Sequence, residues 1–437
     1  MANTSWTVRD LRHELANGAI KPAELAEKAL ARANQNPSKN TYLWQDAAWT
    51  RAEAKVAEET PRGGGGPFGD GRSALWGLPV SVKDCFELAG APTSCGTHFY
   101  RDLKGRAAQD SWVVKQLRSA GAVIIGKTHV HPLTYGITGE NPDFGDCLLP
   151  GDPGALTGGS SSGAVASVLE GSAVAAIGTD TGGSVRVPAA LGGLAGYRST
   201  LGRGDWSGGS HLAESFDTLG WLFRDLEDAP VLAGLYAPEV QSPSPKFTRF
   251  AVVSESFLHD CEPQVLSGFR STISELESLG LEAHTIDPEW WSESRDIFAQ
   301  IQAWEAARLH AGYFDRFEPA IHERLEMGAR ITPTEIATLR QKHLEFNARM
   351  DDLFAANQLI MFPCAPVARL AAGADHSQTR GQLLRYTTPF SLAGVPVVAI
   401  PCSAGGMQLA APRGLDEALV QLAARLGAQR RSNLPSR

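Results

Sequence analysis

Residues 158–163 read GGSSSG, and residues 178–190 read GTDTGGSVRVPAA. In the second block, two glycines stand immediately before Ser184. Glycines at such positions let the backbone turn sharply and expose consecutive N–H groups. Such N–H groups can stabilise the oxyanion of an acyl-transfer intermediate beside an attacking hydroxyl. The two blocks therefore indicate a serine nucleophile on a glycine-rich loop.

The residues around these blocks limit which base could activate that serine. A serine hydroxyl needs a base before it attacks, and no histidine lies close in sequence to either block. A lysine can serve if burial lowers its pKa from about 10.4 to roughly 7–8. A buried, uncharged lysine therefore fits the role.

Both blocks resemble the core of the amidase signature family, which reads G-G-S-S-G-G and then G-T-D-x-G-G-S-[IV]-R-x-P-A. The family's upstream lysine motif, G-x-P-x-x-x-K-D, is similar to residues 77–84, GLPVSVKD. The 24-residue spacing between the two family serines is also the spacing between Ser160 and Ser184. Three further segments, residues 135–141, 215–220 and 390–396, resemble family segments in the same order, so the resemblance covers nearly the whole chain.

The resemblance implies a Ser-Ser-Lys mechanism that cleaves an amide C–N bond through an acyl-enzyme. Ser184 is expected to attack the amide carbonyl, Ser160 to relay protons, and uncharged Lys83 to be the final base. The family's relay serine follows a cis peptide bond, which would here join Gly159 to Ser160. The oxyanion hole is expected to consist of four backbone N–H groups, those of Thr181, Gly182, Gly183 and Ser184.

The resemblance also assigns supporting positions around the nucleophile. Asp180 and Arg186 are expected to hold the nucleophile loop, and Ser161 to add a hydrogen bond. Tyr135 is expected to contact the substrate. Neither a cofactor nor a metal is expected, because His129-x-His131 lacks the further ligands that a metal site needs.

The order of predicted elements favours an α/β fold. Residues 77–84 predict a turn and a strand, and a helix over 111–120 and a strand over 122–125 follow, as in a β-α-β unit. The family resemblance implies one domain over residues 1–437, with a mixed, partly parallel sheet of roughly ten or more strands covered by helices on both faces. Its predicted parts are N-terminal helices (about 5–60), a signature core (about 75–230), a helical segment (about 263–355), and C-terminal strands and a helix (about 358–427). The glycine-rich stretch 61–71 is expected to be an exposed loop.

Composition and charge restrict the partners. The formal net charge is −8 and the pI about 5.8, with no basic stripe, which argues against nucleic-acid binding. No run approaches the roughly 20 apolar residues of a membrane span, and the first residues lack the apolar run of a signal peptide. Six cysteines without a C-x-x-C pair favour a reducing compartment. We therefore expect a cytoplasmic enzyme acting on a small amide, and the sequence leaves open whether it forms a homodimer.

Three readings outside the family compete with this one. Residues 159–163 also satisfy G-x-S-x-G, which would make Ser161 the nucleophile of an α/β-hydrolase esterase. Such a serine must directly follow a strand. Residues 151–155 are poor in strand character, which argues against the esterase. A phosphate-binding loop would need the lysine of G-x-x-x-x-G-K-[ST], which is missing. A non-catalytic subunit would not need all three catalytic positions, which are intact.

A further alternative lies inside the family, the glutamine-hydrolysing A subunit of tRNA-dependent amidotransferases. Those subunits commonly carry an acidic residue shortly before the N-L-A-G-x-P segment, and residues 381–388 have none. This favours a stand-alone amidase. The chain departs from the family pattern at Ser162, where glycine is usual, at residues 128–132, and at Trp221, where proline is common. The pattern does not choose among aliphatic, aryl and urea-type amides.

Overall fold

A mixed sheet of eleven strands organises the part of the chain that the computed structural model describes, residues 6–35, 40–59, 73–236 and 245–433. From edge to edge the strands are β1 (Tyr42–Trp44), β3 (Val123–Thr128), β2 (Pro79–Lys83), β6 (Ala175–Asp180), β8 (Thr218–Phe223), β7 (Ala195–Arg198), β13 (Val397–Pro401), β14 (Gly406–Ala410), β11 (Ile360–Pro363), β9 (Arg249–Val253) and β10 (Glu282–Ile286). A second, three-stranded sheet contains β4 (Leu148–Leu149), β5 (Asp152–Leu156) and β12 (Leu370–Ala371).

The direction of the strands changes across the large sheet. Strand β2 pairs in parallel with β3 and β6, and β9 pairs in parallel with β10 and β11. The strands between these groups pair antiparallel. A helix over Trp112–Ser119 joins β2 to β3, so the β-α-β unit predicted from residues 77–125 is confirmed. The mixed, partly parallel sheet is confirmed as well.

Helices cover the sheet. In the described ranges the α-helices are α1 (Val8–Ala16), α2 (Pro22–Gln35), α3 (Ala47–Glu59), α4 (His98–Lys104), α5 (Trp112–Ser119), α6 (Ser162–Glu170), α7 (Arg186–Leu191), α8 (Ala229–Gly234), α9 (Pro263–Ser278), α10 (Ser294–Leu309), α11 (Pro319–Arg330), α12 (Pro333–Asn357), α13 (Ser377–Ala393) and α14 (Asp416–Ser432). Every residue of β2, β3, β6, β7 and β8 is buried. Because successive side chains of a strand point to opposite faces, both faces of the central sheet are covered.

Three sequence predictions need correction. The segment 263–355 is not continuously helical, because β10 crosses it as an edge strand whose mostly exposed residues lack the apolar run of a buried strand. Residues 151–155 do contribute to a strand, β5, which pairs with β4 and β12 outside the large sheet. Helix α14 continues to Ser432, past the predicted end near 427. The predicted loop at 61–71 lies outside the described residues, and none of the described helices is long and apolar enough to cross a membrane.

The packing of α11 against α10 gives a test of this architecture. A methyl group on Gly328 would lie 2.0 Å from the carbonyl oxygen of Ala303, whereas one on Gly381 in α13 would meet nothing closer than 3.8 Å. We therefore expect Gly328→Ala to lower the free energy of unfolding by about 1–3 kcal/mol or more, since two helix backbones must separate. Gly381→Ala, the matched control, should raise it by up to about 1 kcal/mol. Urea titration followed by circular dichroism measures both; equal effects would contradict the close α10–α11 contact.

Candidate active site

The parallel pairing of β2 with β6 brings two of the sequence blocks together. Val82 lies opposite Ile177, so the carboxyl ends of both strands reach the same edge. The end of β2 carries Lys83, and the end of β6 carries Thr179 and Asp180. Polar groups at the carboxyl ends of adjacent parallel strands commonly form binding sites.

Lys83 is fully buried and has two hydroxyl partners. Its Nζ lies 2.7 Å from Oγ of Ser160 and 2.6 Å from Oγ1 of Thr179. Burial lowers the pKa of Lys83 to about 8, although nearby negative groups, including Asp217 and Asp180, favour the charged form. Thr179 was not among the predicted site residues, even though it lies within residues 178–190. The lysine is thus held in a site that makes its uncharged form accessible near neutral pH.

The segment before α6 holds Ser160 and its neighbour Ser161 in different environments. The Gly159–Ser160 peptide bond is cis, as the family resemblance implied. Ser161 donates from Oγ to the carbonyl of Thr179 at 3.3 Å, and the N–H of Thr179 lies 3.4 Å from the same oxygen. Ser161 therefore connects the start of α6 to the end of β6, the supporting position that the sequence predicted for it.

The nucleophile loop connects β6 to α7. Gly183 adopts a φ of +118°, in the region that favours glycine, and a methyl group there would lie 2.7 Å from the side chain of Thr387. Its N–H donates to Oδ1 of Asp180 at 2.8 Å. The prediction that the N–H of Gly183 belongs to the oxyanion hole is therefore wrong, because this N–H is already hydrogen-bonded to Asp180 within the loop. The N–H groups of Gly182 and Ser184 have no protein acceptor among the described residues.

Asp180 is the centre of a buried ionic network. Its carboxylate accepts hydrogen bonds from the side chains of Arg186 and Arg198 and from the N–H of Val185. Burial alone would raise the pKa of Asp180, but the two arginines hold it well below its usual range. Arg186 also donates to the carbonyl of Thr387 at 3.0 Å. The network fixes the loop on both sides of Ser184.

Ser184 faces a narrow cavity of about 20 Å³, room for roughly one water molecule. The cavity is lined by Thr134, Tyr135, Gly136, Ile137, Thr181, Gly182, Ser184, Leu212, Gln302, Arg380 and Leu384. Tyr135 thus lines the cavity beside Ser184, the place expected for a residue that contacts the substrate. Gln302 and Arg380 were not predicted, because they lie in helices without any motif. The hydroxyl of Ser184 makes no hydrogen bond to a described residue, so the structure joins Lys83 to Ser160 but not Ser160 to Ser184.

A second, larger cavity adjoins the first at Thr134, which lines both. It measures about 370 Å³ and includes Tyr100, His211, Leu309 and Tyr313. Leu309 and Tyr313 are exposed hydrophobic residues at its boundary. The pair of cavities therefore forms a small chamber at Ser184 beside a larger, more apolar one.

Two of the three departures from the family pattern, at His129 and Ser162, contact each other. Nδ1 of His129 lies 3.0 Å from Oγ of Ser162, and Nε2 of His129 lies 2.9 Å from the carbonyl of Gly145. Burial lowers the pKa of His129 to about 4, so the ring is neutral, donating at one nitrogen and accepting at the other. His129 thus has a structural role, and within the described ranges no cluster of three potential metal ligands occurs.

Comparison with known proteins extends these observations. The amidase family model matches residues 24–420. The indoleacetamide hydrolase of Pseudomonas savastanoi is 32% identical over 430 residues, covering 92% of this chain and 90% of that protein. A glutamyl-tRNA(Gln) amidotransferase subunit from Roseiflexus castenholzii is 28% identical, covering 91% of this chain and 89% of that protein. A solved amidase structure superposes with a TM-score of 0.86 at 27% identity, over 97% of this chain and all of that one. The chain therefore belongs to the amidase signature family and is a hydrolase of amide C–N bonds.

Proposed function

We propose that this protein is a stand-alone amidase that cleaves a small amide through an acyl-enzyme on Ser184. The observation that carries the proposal is the buried hydrogen bond between Lys83 and Ser160, beside the end of β6, the strand that leads into the nucleophile loop. A lysine whose pKa is about 8 is uncharged often enough to accept a proton. A serine with an adjacent base is the general arrangement for covalent catalysis.

The chemistry follows from this arrangement. Uncharged Lys83 takes a proton from Ser160, and Ser160 takes the proton of Ser184, whose Oγ forms a bond to the amide carbonyl carbon. The N–H groups of Gly182 and Ser184, with that of Thr181, stabilise the oxyanion. When the C–N bond breaks, the amine leaves with the proton returned through Ser160. Water then attacks the ester on Ser184 by the same proton path, which releases the acid and restores the hydroxyl.

Contacts of the other serines argue against the esterase reading. Ser161 is fully buried and hydrogen-bonded to the backbone of Thr179, and it does not line the cavity that contains Ser184. Strand β5 precedes Ser161 but does not support the esterase reading, because β5 belongs to the small sheet rather than the large one. Ser184 therefore has the better position for attack.

The relatives include both hydrolases of free amides and amidotransferase subunits. The absence of an acidic residue over 381–388 supports the stand-alone activity for this chain. The side chains of Leu384 and Thr387 face the nucleophile region from this stretch, one lining the cavity and the other hydrogen-bonded to the carbonyl of Gly182. Neither could neutralise the amino group of glutamine.

The first prediction tests the activity itself. The purified chain alone should release ammonia from at least one member of a panel of primary amides. Ser184→Ala and Lys83→Ala should each lower kcat by at least ~10³-fold, and the double variant should be little worse than either, because the residues act as one unit. Lys115→Ala, an exposed lysine on α5, is the control. Hydrolysis of glutamine alone, and only with companion subunits, would replace this proposal with the amidotransferase.

A second prediction concerns pH. Below the pKa of about 8, Lys83 is protonated and cannot accept the proton of Ser160; above it, the base is free. The kcat/KM for an uncharged amide should therefore rise about tenfold per pH unit below the midpoint and level off above pH 8. Initial rates from pH 6 to 10 measure this, with unfolding checked at each pH. A profile that falls through pH 8 would argue against a lysine base.

A third prediction separates the candidate nucleophiles. A sulfonylating reagent should modify Ser184, because only a serine with both a base and oxyanion donors reacts fast. Labelling should persist in Ser161→Ala, whose loss removes a hydrogen bond worth about 0.5–1.5 kcal/mol. It should fall sharply in Lys83→Ala. Peptide mapping by mass spectrometry locates the adduct, and an adduct on Ser161 with Ser184 unmodified would favour the esterase-type elbow.

A further inference from the structure

Arg380 is a cation in the cavity of Ser184 that has no acceptor among the described residues. It lies in the first turn of α13 and lines the chamber together with Ser184, Gln302 and Tyr135. Its guanidinium makes no hydrogen bond or ion pair with any residue in the described ranges, and its Nε is buried without an acceptor. Buried polar groups are nearly always hydrogen-bonded, so an exception at a binding cavity needs an explanation.

Other buried or partly buried arginines of this fold do have hydrogen-bond acceptors. Arg186 has acceptors from Asp180, Thr387, Gln408 and Ser391. Arg385, on the same helix as Arg380, donates to Asp260 at 2.8 Å. The contrast within α13 shows that the fold supplies acceptors where an arginine has a structural role. Arg380 instead keeps its donors directed at space that a ligand can fill.

The surroundings of Arg380 add positive rather than negative charge. Burial lowers the pKa of Arg380 to about 10, and the nearby charge of Arg324 acts in the same direction. Arg324 is itself occupied, donating to the carbonyl of Tyr135 at 2.6 Å and of Ala320 at 2.8 Å. The carboxylate of Glu318 interacts with Arg324 rather than with Arg380. At neutral pH Arg380 therefore stays charged and uncompensated.

We infer that Arg380 binds an anionic group of the substrate, so that the preferred amides carry a carboxylate close to the scissile bond. This rests on the proposed function, since it assigns the substrate class of the same site. A guanidinium offers paired donors that match the two oxygens of a carboxylate. The side chain of Gln302, also on the cavity wall, has no protein partner among the described residues and supplies further polar contacts. Because Arg380 and Ser184 line the same narrow cavity, the spacer between the amide and the carboxylate should be short.

The experiment compares two primary amides of similar shape. Succinamate carries a carboxylate two carbons from the amide carbonyl, and 4-oxopentanamide replaces that carboxylate with an acetyl group. Ammonia release is measured for the wild type, Arg380→Met, Arg380→Lys and the control Arg295→Met. Arg295 is an exposed arginine on α10 near Gly381 whose ion pair is with the adjacent Asp296, so its loss removes the same charge outside the cavity.

The wild type should prefer succinamate by about 10- to 100-fold in kcat/KM, the range that one charged hydrogen-bonded contact supplies. Arg380→Met should abolish that preference, because it should lower kcat/KM for succinamate, mainly through KM, at least 10-fold more than it lowers kcat/KM for 4-oxopentanamide. Arg380→Lys should restore part of it, and Arg295→Met should behave as the wild type. A wild type that prefers the neutral amide, or an Arg380→Met variant that loses both activities equally, overturns the inference.

Binding of succinate by calorimetry separates this inference from the proposed function. Succinate should bind the wild type and bind Arg380→Met about 10-fold or more weakly, whether or not any amide is cleaved. If no amide is hydrolysed but succinate binds through Arg380, the proposed catalysis fails and the anion site stands. If neutral amides are hydrolysed and succinate binds both proteins equally or not at all, the catalysis stands and the anion site is wrong.

Discussion

The buried carboxylate of Asp180 is the constraint on which the rest of the site depends. It joins β6, the nucleophile loop, α7 and β7 through Gly183, Arg186 and Arg198. Two arginines and several N–H groups replace the water that an isolated carboxylate would need. Removing the carboxylate of Asp180 would leave the buried charges of Arg186 and Arg198 without their anion, which costs about 3–5 kcal/mol. The loop around Ser184 is therefore rigid because of electrostatics as well as packing.

The same network connects the nucleophile to the helix that carries Arg380. Arg186 reaches the carbonyl of Thr387 and the hydroxyl of Ser391 in α13, and Thr387 donates from Oγ1 to the carbonyl of Gly182 at 2.5 Å. These bonds fix the separation between the reacting serine and the unpaired guanidinium. A substrate held at both points would have its carbonyl positioned by buried hydrogen bonds rather than by a mobile loop. Such positioning is a large part of catalytic rate enhancement.

The sequence could predict those features of the fold and the site that depend on residues close together in the chain. Glycine spacing marks the blocks around Ser160 and Ser184, and an apolar run marks the strand that carries Lys83, so these parts could be predicted from local sequence. The mixed sheet could be predicted from the family resemblance. Gly183 was misassigned because its N–H is used by Asp180, a contact that a motif does not reveal. Strand β10 was missed since an exposed edge strand lacks a buried pattern. Arg380 and Gln302 reach the cavity only through tertiary packing of helices.

Two basic side chains, Lys83 and Arg380, respond to their low-dielectric surroundings in opposite ways. Burial disfavours the charged form of any base. Lys83 can respond by losing its proton, and its two hydroxyl partners, on Ser160 and Thr179, tolerate either protonation state. Arg380 cannot respond in this way at neutral pH, because even its lowered pKa stays near 10. Its charge can only be balanced by an anion that the described protein does not provide. The chemical difference between the two cations therefore suits the lysine to proton transfer and the arginine to binding an anion.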